Sequence, residues 1–276
     1  MLISTDMDNV TLKKLQGTEL SILCSIDDYC RKYGINYSLY AGTALGAVRH
    51  GGFIPWDDDI DLAMTRTEFD RFCKTWMRHP VEGYHLESIL TDDYCGTCHA
   101  KIRKDGTVFL SKGEEEKAGH HGIWVDVFPL DKVSVNPKIR SKKYRIGKEI
   151  ILLARANAGS KIDGLSKKIA RGALRIIPRS IRMKKLFALH TWLLDHMEDG
   201  NELGYEWKSM STMDNIKKLS FPPDLAFGYT TIEFEGRAFP VFEQYEEMLK
   251  YTFGDYMKLP PESDRVCKHN PVKVQF

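Results

Sequence analysis

The sequence lacks a long apolar run, an export signal and any strong net charge. Its 276 residues carry a formal charge of only +2, which argues against binding of polyanions by charge alone. No segment approaches the roughly 18 apolar residues of a membrane-spanning helix, and residues 1–6 lack the basic and apolar regions of a signal peptide. The six cysteines are scattered, so we expect reduced thiols in a cytoplasmic globular protein.

Hydrophobic periodicity predicts an α/β protein with a mixed sheet. Apolar residues recur at helical spacing over 11–33, where Gly34 ends the helix, and again over 65–77 and 242–251. The last dozen residues are predicted to be partly disordered. Strands are predicted for the segments 37–41, 59–64, 99–103, 107–110, 122–128 and 230–235.

One segment departs from the balanced charge of the rest. Residues 138–185 contain 16 Lys or Arg and only two acids, a net charge of +14. Their apolar residues recur at helical spacing, which predicts two or three basic amphipathic helices. These helices either present a solvated face or contact an anionic membrane surface. Nucleic acid is the weaker alternative and is not an expected partner, since no recognised binding module is present.

Four carboxylates stand within five residues, directly after a proline and a tryptophan. Residues 52–62 read GFIPWDDDIDL, and the alternation at their end predicts a strand that carries Asp57, Asp59 and Asp61 on one face. Carboxylates this close repel one another unless a cation neutralises them, and oxygen ligands favour Mg²⁺ or Mn²⁺. A solvated acidic cluster fits less well, because the interleaved apolar residues indicate burial. We expect Asp58 to brace the loop.

Two other positions could share a site with these carboxylates. Gly42 and Thr43 follow a predicted strand and precede a predicted helix, where a glycine lets the backbone approach a phosphate. Asp126 stands alone in the apolar strand Trp124–Phe128. A buried carboxylate needs a partner, which is either a shared metal ion or nearby backbone N–H groups.

From Leu39 to Asp61 the chain reads LYAGTALGAVRHGGFIPWDDDID. This run resembles the signature of the LicD family, which transfers phosphocholine and related phospho-substituents, and the fukutin-related proteins share the pattern. The likeness continues at 101–103, 125–131 and 253–261, whereas the basic segment matches least. The resemblance covers most of the chain and is more informative about the chemistry than about the donor.

The resemblance implies a single LicD-like domain over 1–276. A nucleotidyltransferase-like core would comprise about 11–135 and 200–262, with a basic helical insertion at about 136–199. The implied activity moves phosphocholine, or a related phospho-substituent, from a CDP-linked donor to a hydroxyl group and releases CMP. CDP-choline is the leading donor, with CDP-glycerol and CDP-ribitol as alternatives.

The implied acceptor is a cell-surface glycan such as lipopolysaccharide or a teichoic acid or capsule precursor. A lipid-linked acceptor would explain basic helices held at the inner face of the membrane. One alternative keeps the fold and moves a nucleoside monophosphate from an NTP to a small molecule or sugar. A non-enzymatic metal-binding or scaffold protein is a further alternative.

The resemblance also implies roles for individual residues. Asp59, Asp61 and Asp126 would be the catalytic carboxylates that hold Mg²⁺ or Mn²⁺, with Asp57 as a further ligand, and Asp126 would also help deprotonate the acceptor. Lys101 and Arg103 could instead form a solvated strand face, and Arg49 and His50 could merely fix the loop. The residues expected to bind substrate are Gly42, Thr43, Arg49, His50, Trp56, Lys101 and Arg103.

Aromatic and sulfur-containing residues offer two further interpretations. A quaternary ammonium group would suit an aromatic box, for which the candidates are Tyr40, Trp56, Trp124 and Phe128; ordinary core packing is the alternative. Cys95, Cys98 and His99 match a haem-attachment motif, but that chemistry needs export. The same three residues could bind zinc with a ligand from Cys267 or His269, although thiols without a metal are the default.

Overall fold

A seven-stranded mixed sheet with helices packed against it forms the framework of the chain and confirms the predicted α/β class. The predicted basic helices of 138–185 lie largely outside the described residues, and Cys95 and Cys98 lie wholly outside them. The computed structural model describes residues 7–88, 91, 99–111, 119–133, 136, 138, 141, 176–178, 180–182, 184–185, 188, 202–205, 220–269 and 271–276.

Helices and strands alternate along the described part of the chain. The helices are α1 (Asn9–Tyr33), α2 (Ala41–His50), α3 (Arg66–Arg78) and α4 (Tyr245–Phe253), with short 3-10 turns at Pro223–Ala226 and Glu262–Asp264. The strands are β1 (Ser38–Leu39), β2 (Asp61–Thr65), β3 (Tyr84–Glu87), β4 (Ala100–Lys104), β5 (Val108–Ser111), β6 (Trp124–Val133), β7 (Glu202–Tyr205), β8 (Ser220–Phe221), β9 (Tyr229–Phe234), β10 (Arg237–Phe242) and β11 (Pro271–Gln275). Within these ranges, no helix combines the length and apolar character needed to cross a membrane.

The ten-residue strand β6 lies at the centre of the sheet. It pairs in parallel with β2 on one side and antiparallel with β4 and β7 on the other. The order β1-β2-β6-β4-β3 follows, and β8 extends the sheet beyond β7. Because β2 and β6 are parallel, their amino ends meet at one edge of the sheet, where Asp61 opens β2 and Trp124 opens β6.

Helices α1 and α3 each have a capping residue at the start and an apolar stripe that packs against the core. Asp8 accepts a 2.8 Å hydrogen bond from the Thr11 N–H at the start of α1, and Gly34 ends that helix with a left-handed φ of 63°. Thr65 caps α3 in the same manner, through the Glu68 N–H. The core between these helices and the sheet contains Leu15, Ile22, Ile26, Leu62, Phe69, Phe72, Trp76 and Val125, which confirms the predicted inward faces.

Three local predictions are wrong. The strand predicted to begin at Asp59 begins at Asp61, because residues 55–56 form a turn and the chain stays irregular until 60. Gly42 and Thr43 lie in the first turn of α2 instead of preceding that helix. The C-terminal residues predicted to be partly disordered form β11, which pairs antiparallel with β5.

Candidate active site

Three charged side chains form one row across the middle of the sheet. Asp61 lies opposite Asp126 in the parallel pairing of β2 with β6, and Lys101 lies opposite Asp126 in the antiparallel pairing of β4 with β6. Residues directly opposite each other on neighbouring strands project from the same face. All three line one cavity of about 1060 Å³. The sheet register therefore delivers two carboxylates and an ammonium group to a single site.

The loop before β2 brings further carboxylates to this cavity. Asp57 and Asp59 line it, and one carboxylate oxygen from each of Asp57, Asp58 and Asp59 lies within 4.8 Å of the others. The Gln16 side chain fixes the loop from α1 by donating a 2.9 Å hydrogen bond to the Asp57 carbonyl. Several carboxylate oxygens converging in one cavity form the donor set that Mg²⁺ or Mn²⁺ prefers.

The electrostatics of these carboxylates also suit a divalent cation. Burial, and then the charge of Asp59, raises the pKa of Asp57 to about 7. Burial raises the pKa of Asp61 well above its usual range, and Asp59 and Asp126 raise it further. The pKa of Asp59 is likewise raised, mainly by burial. A bound cation would remove this repulsion, so the residues present fit such an ion.

Asp126 is held differently from the other carboxylates. Its Oδ1 accepts a 2.7 Å hydrogen bond from Lys101 Nζ and lies 3.0 Å from His99 Nε2, while its Oδ2 accepts a 2.7 Å bond from the Trp124 indole. Burial alone would raise the pKa of Asp126, but Lys101 and His99 outweigh it and hold that pKa well below its usual range. A carboxylate this acidic is a poor proton acceptor, which favours a role in charge and ligation over that of a general base.

Gly42 and Thr43 stand beside the acidic loop in different ways. Gly42 lines the cavity, and a Cβ atom there would lie 2.8 Å from Asp57 Oδ2, so only glycine leaves room for that carboxylate. Thr43 is buried and lies outside the cavity wall formed by the described residues. Its hydroxyl accepts a 2.8 Å hydrogen bond from the Asp61 N–H, which makes it a support for the start of β2.

The other predicted substrate contacts divide into two groups. Arg49 and Trp56 line the cavity; Arg49 donates to the Tyr256 carbonyl at 2.8 Å. His50 is exposed, lies outside that wall and accepts a 3.0 Å hydrogen bond from Arg49 Nε. Arg103 also lies outside it, because its guanidinium pairs with Glu87 and donates to the Gly122 carbonyl.

The aromatic candidates are separated as well. Tyr40 and Phe128 line the cavity together, with ring centroids 6.3 Å apart. Trp124 lies outside the described wall; Lys101 Nζ lies over its ring at 4.3 Å and the Arg103 guanidinium at 5.0 Å. The Trp124 ring thus packs against Lys101 and Arg103, two of the three basic side chains of β4.

Comparison with known proteins agrees with the predicted family. The family model described as LicD/FKTN/FKRP, nucleotidyltransferase domain, matches residues 34–145. The chain is 31% identical over 271 residues to the lipopolysaccharide cholinephosphotransferase LicD of Haemophilus influenzae, and the alignment covers 95% of this chain and 97% of that protein. This chain belongs to the LicD family. Membership confirms the prediction that it is a transferase.

A second relative is similar to a shorter stretch of the chain. An uncharacterized protein of Rickettsia typhi is 31% identical to this LicD-family chain over 116 residues, which is 42% of this chain and 35% of that protein. The partial coverage shows that the similarity concerns a portion of each protein. The alignment with the Haemophilus protein, by contrast, extends over nearly the whole of this LicD-family chain.

Sequence reasoning missed two elements of this LicD-family site. Lys268 and His269 line the cavity, whereas the sequence indicated His269 only as a candidate zinc ligand. Glu19 on α1 is 3% exposed, and burial together with Asp59, Asp58 and Asp57 raises its pKa well above the usual range. An acid on the buried stripe of a helix is the signal that would have identified Glu19.

The histidines considered for zinc both contact carboxylates in the described residues. His99 lies beside Asp126, and His269 Nδ1 lies 3.1 Å from Asp58 Oδ1. Cys267 is half-buried, while Cys95 and Cys98 lie outside the described part of the chain. Asp58 is 1% exposed and braces the loop as expected, by accepting hydrogen bonds from the Lys268 and His269 N–H groups.

Proposed function

We propose that this protein transfers phosphocholine from CDP-choline to a hydroxyl group of a lipopolysaccharide glycan and releases CMP, with Mg²⁺ or Mn²⁺ as cofactor. The observation that carries the proposal is the convergence of Asp57, Asp59, Asp61 and Asp126 with Lys101 in one cavity. Similarity to the Haemophilus cholinephosphotransferase over 95% of the chain supports the choice of phospho-substituent and acceptor.

The positions of the charged residues in the cavity suggest a role for each of them. Asp57, Asp59 and Asp61 would hold the cation, and Asp126 Oδ2 retains a second lone pair beside its bond from the indole. When bound, the ion would neutralise the pyrophosphate charge and act as a Lewis acid. Lys101 and Lys268 line the same cavity and would bind phosphate oxygens that face away from the carboxylates. The reaction then depends on positioning and charge neutralisation, as phosphoryl transfer generally does.

An aromatic and apolar wall of the cavity suits the choline group. Tyr40 and Phe128 lie at one side, and Phe242, Tyr245 and Met248 continue that lining. A quaternary ammonium ion is attracted to aromatic faces and has no hydrogen-bond donor to satisfy. Donors that carry glycerol or ribitol present hydroxyl groups instead, which this wall would leave unpaired.

The basic segment 138–185 suggests where in the cell the enzyme acts. A lipid-linked acceptor, peripheral membrane contact through residues 138–185 and a cytoplasmic location are proposed on the basic character of that segment. Teichoic acid and capsule precursors are alternative acceptors of the same chemical type. The basic segment would hold the enzyme where a lipid-linked glycan is accessible.

A donor panel tests the proposal. CMP release is measured from CDP-choline, CDP-glycerol and CDP-ribitol with Mg²⁺ and glycan acceptor, using Asp59→Asn as the inactive variant and the exposed Asp224→Asn as the matched control. We expect turnover of CDP-choline that both EDTA and Asp59→Asn abolish and Asp224→Asn retains. Pyrophosphate release from an NTP, with no CMP release from any CDP-linked donor, would favour a nucleotidyltransferase instead.

A further inference from the structure

The C-terminal residues of the chain are attached to the fold at two points. β11 pairs antiparallel with β5, with Val274 opposite Phe109. Just before that strand, the Lys268 and His269 N–H groups donate to Asp58 at 3.3 and 3.0 Å. We call residues 267–269 and 271–275 the C-terminal clasp. The clasp joins the last strand of the chain to the acidic loop.

The clasp contacts the middle one of the three consecutive aspartates. Both oxygens of Asp58 are engaged: Oδ1 with the Lys268 N–H and with His269 Nδ1 at 3.1 Å, and Oδ2 with the His269 N–H. Asp57 and Asp59, its neighbours in sequence, line the cavity. Of the three adjacent carboxylates, Asp58 therefore contacts the clasp, and Asp57 and Asp59 line the cavity.

The imidazole of His269 also contacts Trp124 on the central strand β6. Its ring lies edge-on to Trp124, with centroids 5.5 Å apart and an interplanar angle of 87°. The indole of Trp124 in turn donates to Asp126 Oδ2 at 2.7 Å. His269 Nε2 lies 4.0 Å from Asp59 Oδ2, which is longer than its Nδ1 contact with Asp58. The imidazole therefore contacts Asp58 more closely than it contacts Asp59.

We infer that His269 is a positioning residue that acts through Asp58 to hold Asp57 and Asp59 in the orientation that binds a divalent cation. The inference rests on the proposed function insofar as the acidic loop is taken to bind the metal. It makes the C-terminal clasp part of the metal site, although none of its own atoms is assigned as a ligand. Losing such a support costs metal affinity even when every ligand is present.

Mn²⁺ binding to the metal-free protein tests this role without relying on turnover. Free Mn²⁺ is measured by electron paramagnetic resonance for wild type, His269→Ala, His269→Asn and the control Lys273→Ala, which alters an exposed side chain of the clasp. We expect His269→Ala to weaken binding about tenfold or more. His269→Asn carries an amide N–H in place of Nδ1 and should bind within about threefold of wild type, as should Lys273→Ala.

A double-mutant cycle with Asp58→Asn tests whether His269 acts through Asp58. If it does, the double variant binds Mn²⁺ about as weakly as the weaker single variant. If His269 affects the metal site independently of Asp58, the two losses multiply, and the inference is wrong. Hydrogen exchange of residues 271–275 provides a metal-independent readout, and we expect faster exchange in His269→Ala and in Asp58→Asn.

The possible failures of the two proposals are distinct. Wild-type affinity in His269→Ala, with normal Mn²⁺ binding by wild type, would overturn the positioning role alone. A wild-type protein that binds no Mn²⁺ would overturn the metal site of the proposed function together with this inference. If His269→Ala does not fold, His269→Phe takes its place, because phenylalanine fills the ring position without an Nδ1: a tenfold loss supports the inference, and affinity like that of Lys273→Ala contradicts it.

Discussion

Lys101 Nζ donates a 2.7 Å hydrogen bond to Asp126 Oδ1 from the neighbouring strand, in register with it. This contact divides the carboxylates of the site into two kinds. With His99 it outweighs burial and holds the pKa of Asp126 well below its usual range, whereas burial and mutual repulsion raise the pKa of Asp57 and Asp61. Asp126 is thus held in its charged form by its neighbours, whereas a bound cation would favour the charged forms of Asp57 and Asp61.

Replacing Lys101 with methionine should therefore impair the enzyme in a pH-dependent way. Without the ammonium group, burial raises the pKa of Asp126, so the acid limb of the kcat/KM profile should move to higher pH. We expect kcat/KM near neutrality to fall on the order of 10- to 100-fold, since a charged support of the site is lost. Lys104→Met, on the same strand but outside the described cavity wall, is the control. An unchanged acid limb would show that Lys101 does not set the charge of Asp126.

The raised pKa of Asp57 predicts how the metal-free protein responds to pH. Its pKa is about 7 in the folded state against an ordinary value of 3.8, so the folded state binds more protons between these values. Stability from this group is full below pH 3.8 and is lost as the pH rises through about 7. We expect the Tm of wild type in EDTA to fall as the pH rises from about 5 to about 8. The corresponding fall in Asp57→Asn should be smaller. Equal slopes would contradict the assignment.

Added Mg²⁺ should reverse that loss. The ion binds the deprotonated carboxylates, so its stabilising effect should grow as the pH rises through the pKa of Asp57. Thermal unfolding with and without Mg²⁺ at two pH values measures the difference. A larger Mg²⁺-induced gain in Tm near pH 5 than near pH 8 would be the opposite of the expected result.

Gly42→Ala should reduce activity without unfolding the protein. The added Cβ would lie 2.8 Å from Asp57 Oδ2 and would displace that carboxylate, while alanine is the better helix former. We expect a loss of kcat on the order of tenfold or more with an unchanged or higher Tm. Gly17→Ala on α1 is the matched control, because a Cβ there meets nothing within 4 Å. Full activity in Gly42→Ala would mean that Asp57 tolerates displacement.

A buried ion pair away from the cavity should contribute to stability. The Arg66 guanidinium donates to Asp131 at 2.6 Å, and the two side chains are 18% and 7% exposed. Asp131→Asn removes the buried carboxylate of this pair while Arg66 keeps its 3.4 Å contact with Asp70, so the free energy of unfolding should fall by about 2 kcal/mol. Glu247→Gln removes an exposed pair with Lys250 at 4.0 Å and should cost less than about 0.5 kcal/mol. Urea unfolding measures both, and equal losses would contradict the burial argument.

Local signals were sufficient to predict the elements that carry the site. The caps of α1 and α3 and the apolar stripes beside them are encoded within a few residues, and both helices form as predicted. A lone acid in an apolar strand identified Asp126, which lies in the cavity beside Asp61. These features are readable because each depends on the immediate neighbours of a residue.

The remaining contacts depend on tertiary packing, so no local sequence pattern predicts them. Asp58 and the His269 N–H are 211 residues apart in sequence, so no pattern of spacing could connect them. Asp57, Asp59 and Asp61 reach the same cavity as predicted, but the turn at 55–56 delays the start of β2 from the predicted Asp59 to Asp61. Thr43 was expected at a phosphate, but as part of the first turn of α2 its hydroxyl faces the Asp61 N–H.

The most direct test of the account is transfer itself. Purified protein, CDP-choline, Mg²⁺ and lipopolysaccharide lacking phosphocholine are incubated, and the glycan is analysed by mass spectrometry, with Asp59→Asn and Asp224→Asn in parallel. Wild type and Asp224→Asn should add one phosphocholine to each glycan modified, matched by equimolar CMP, whereas Asp59→Asn and EDTA should abolish the transfer. Phosphocholine transfer that persists in Asp59→Asn and in EDTA would contradict the central claim that the acidic cavity performs the reaction with a divalent cation.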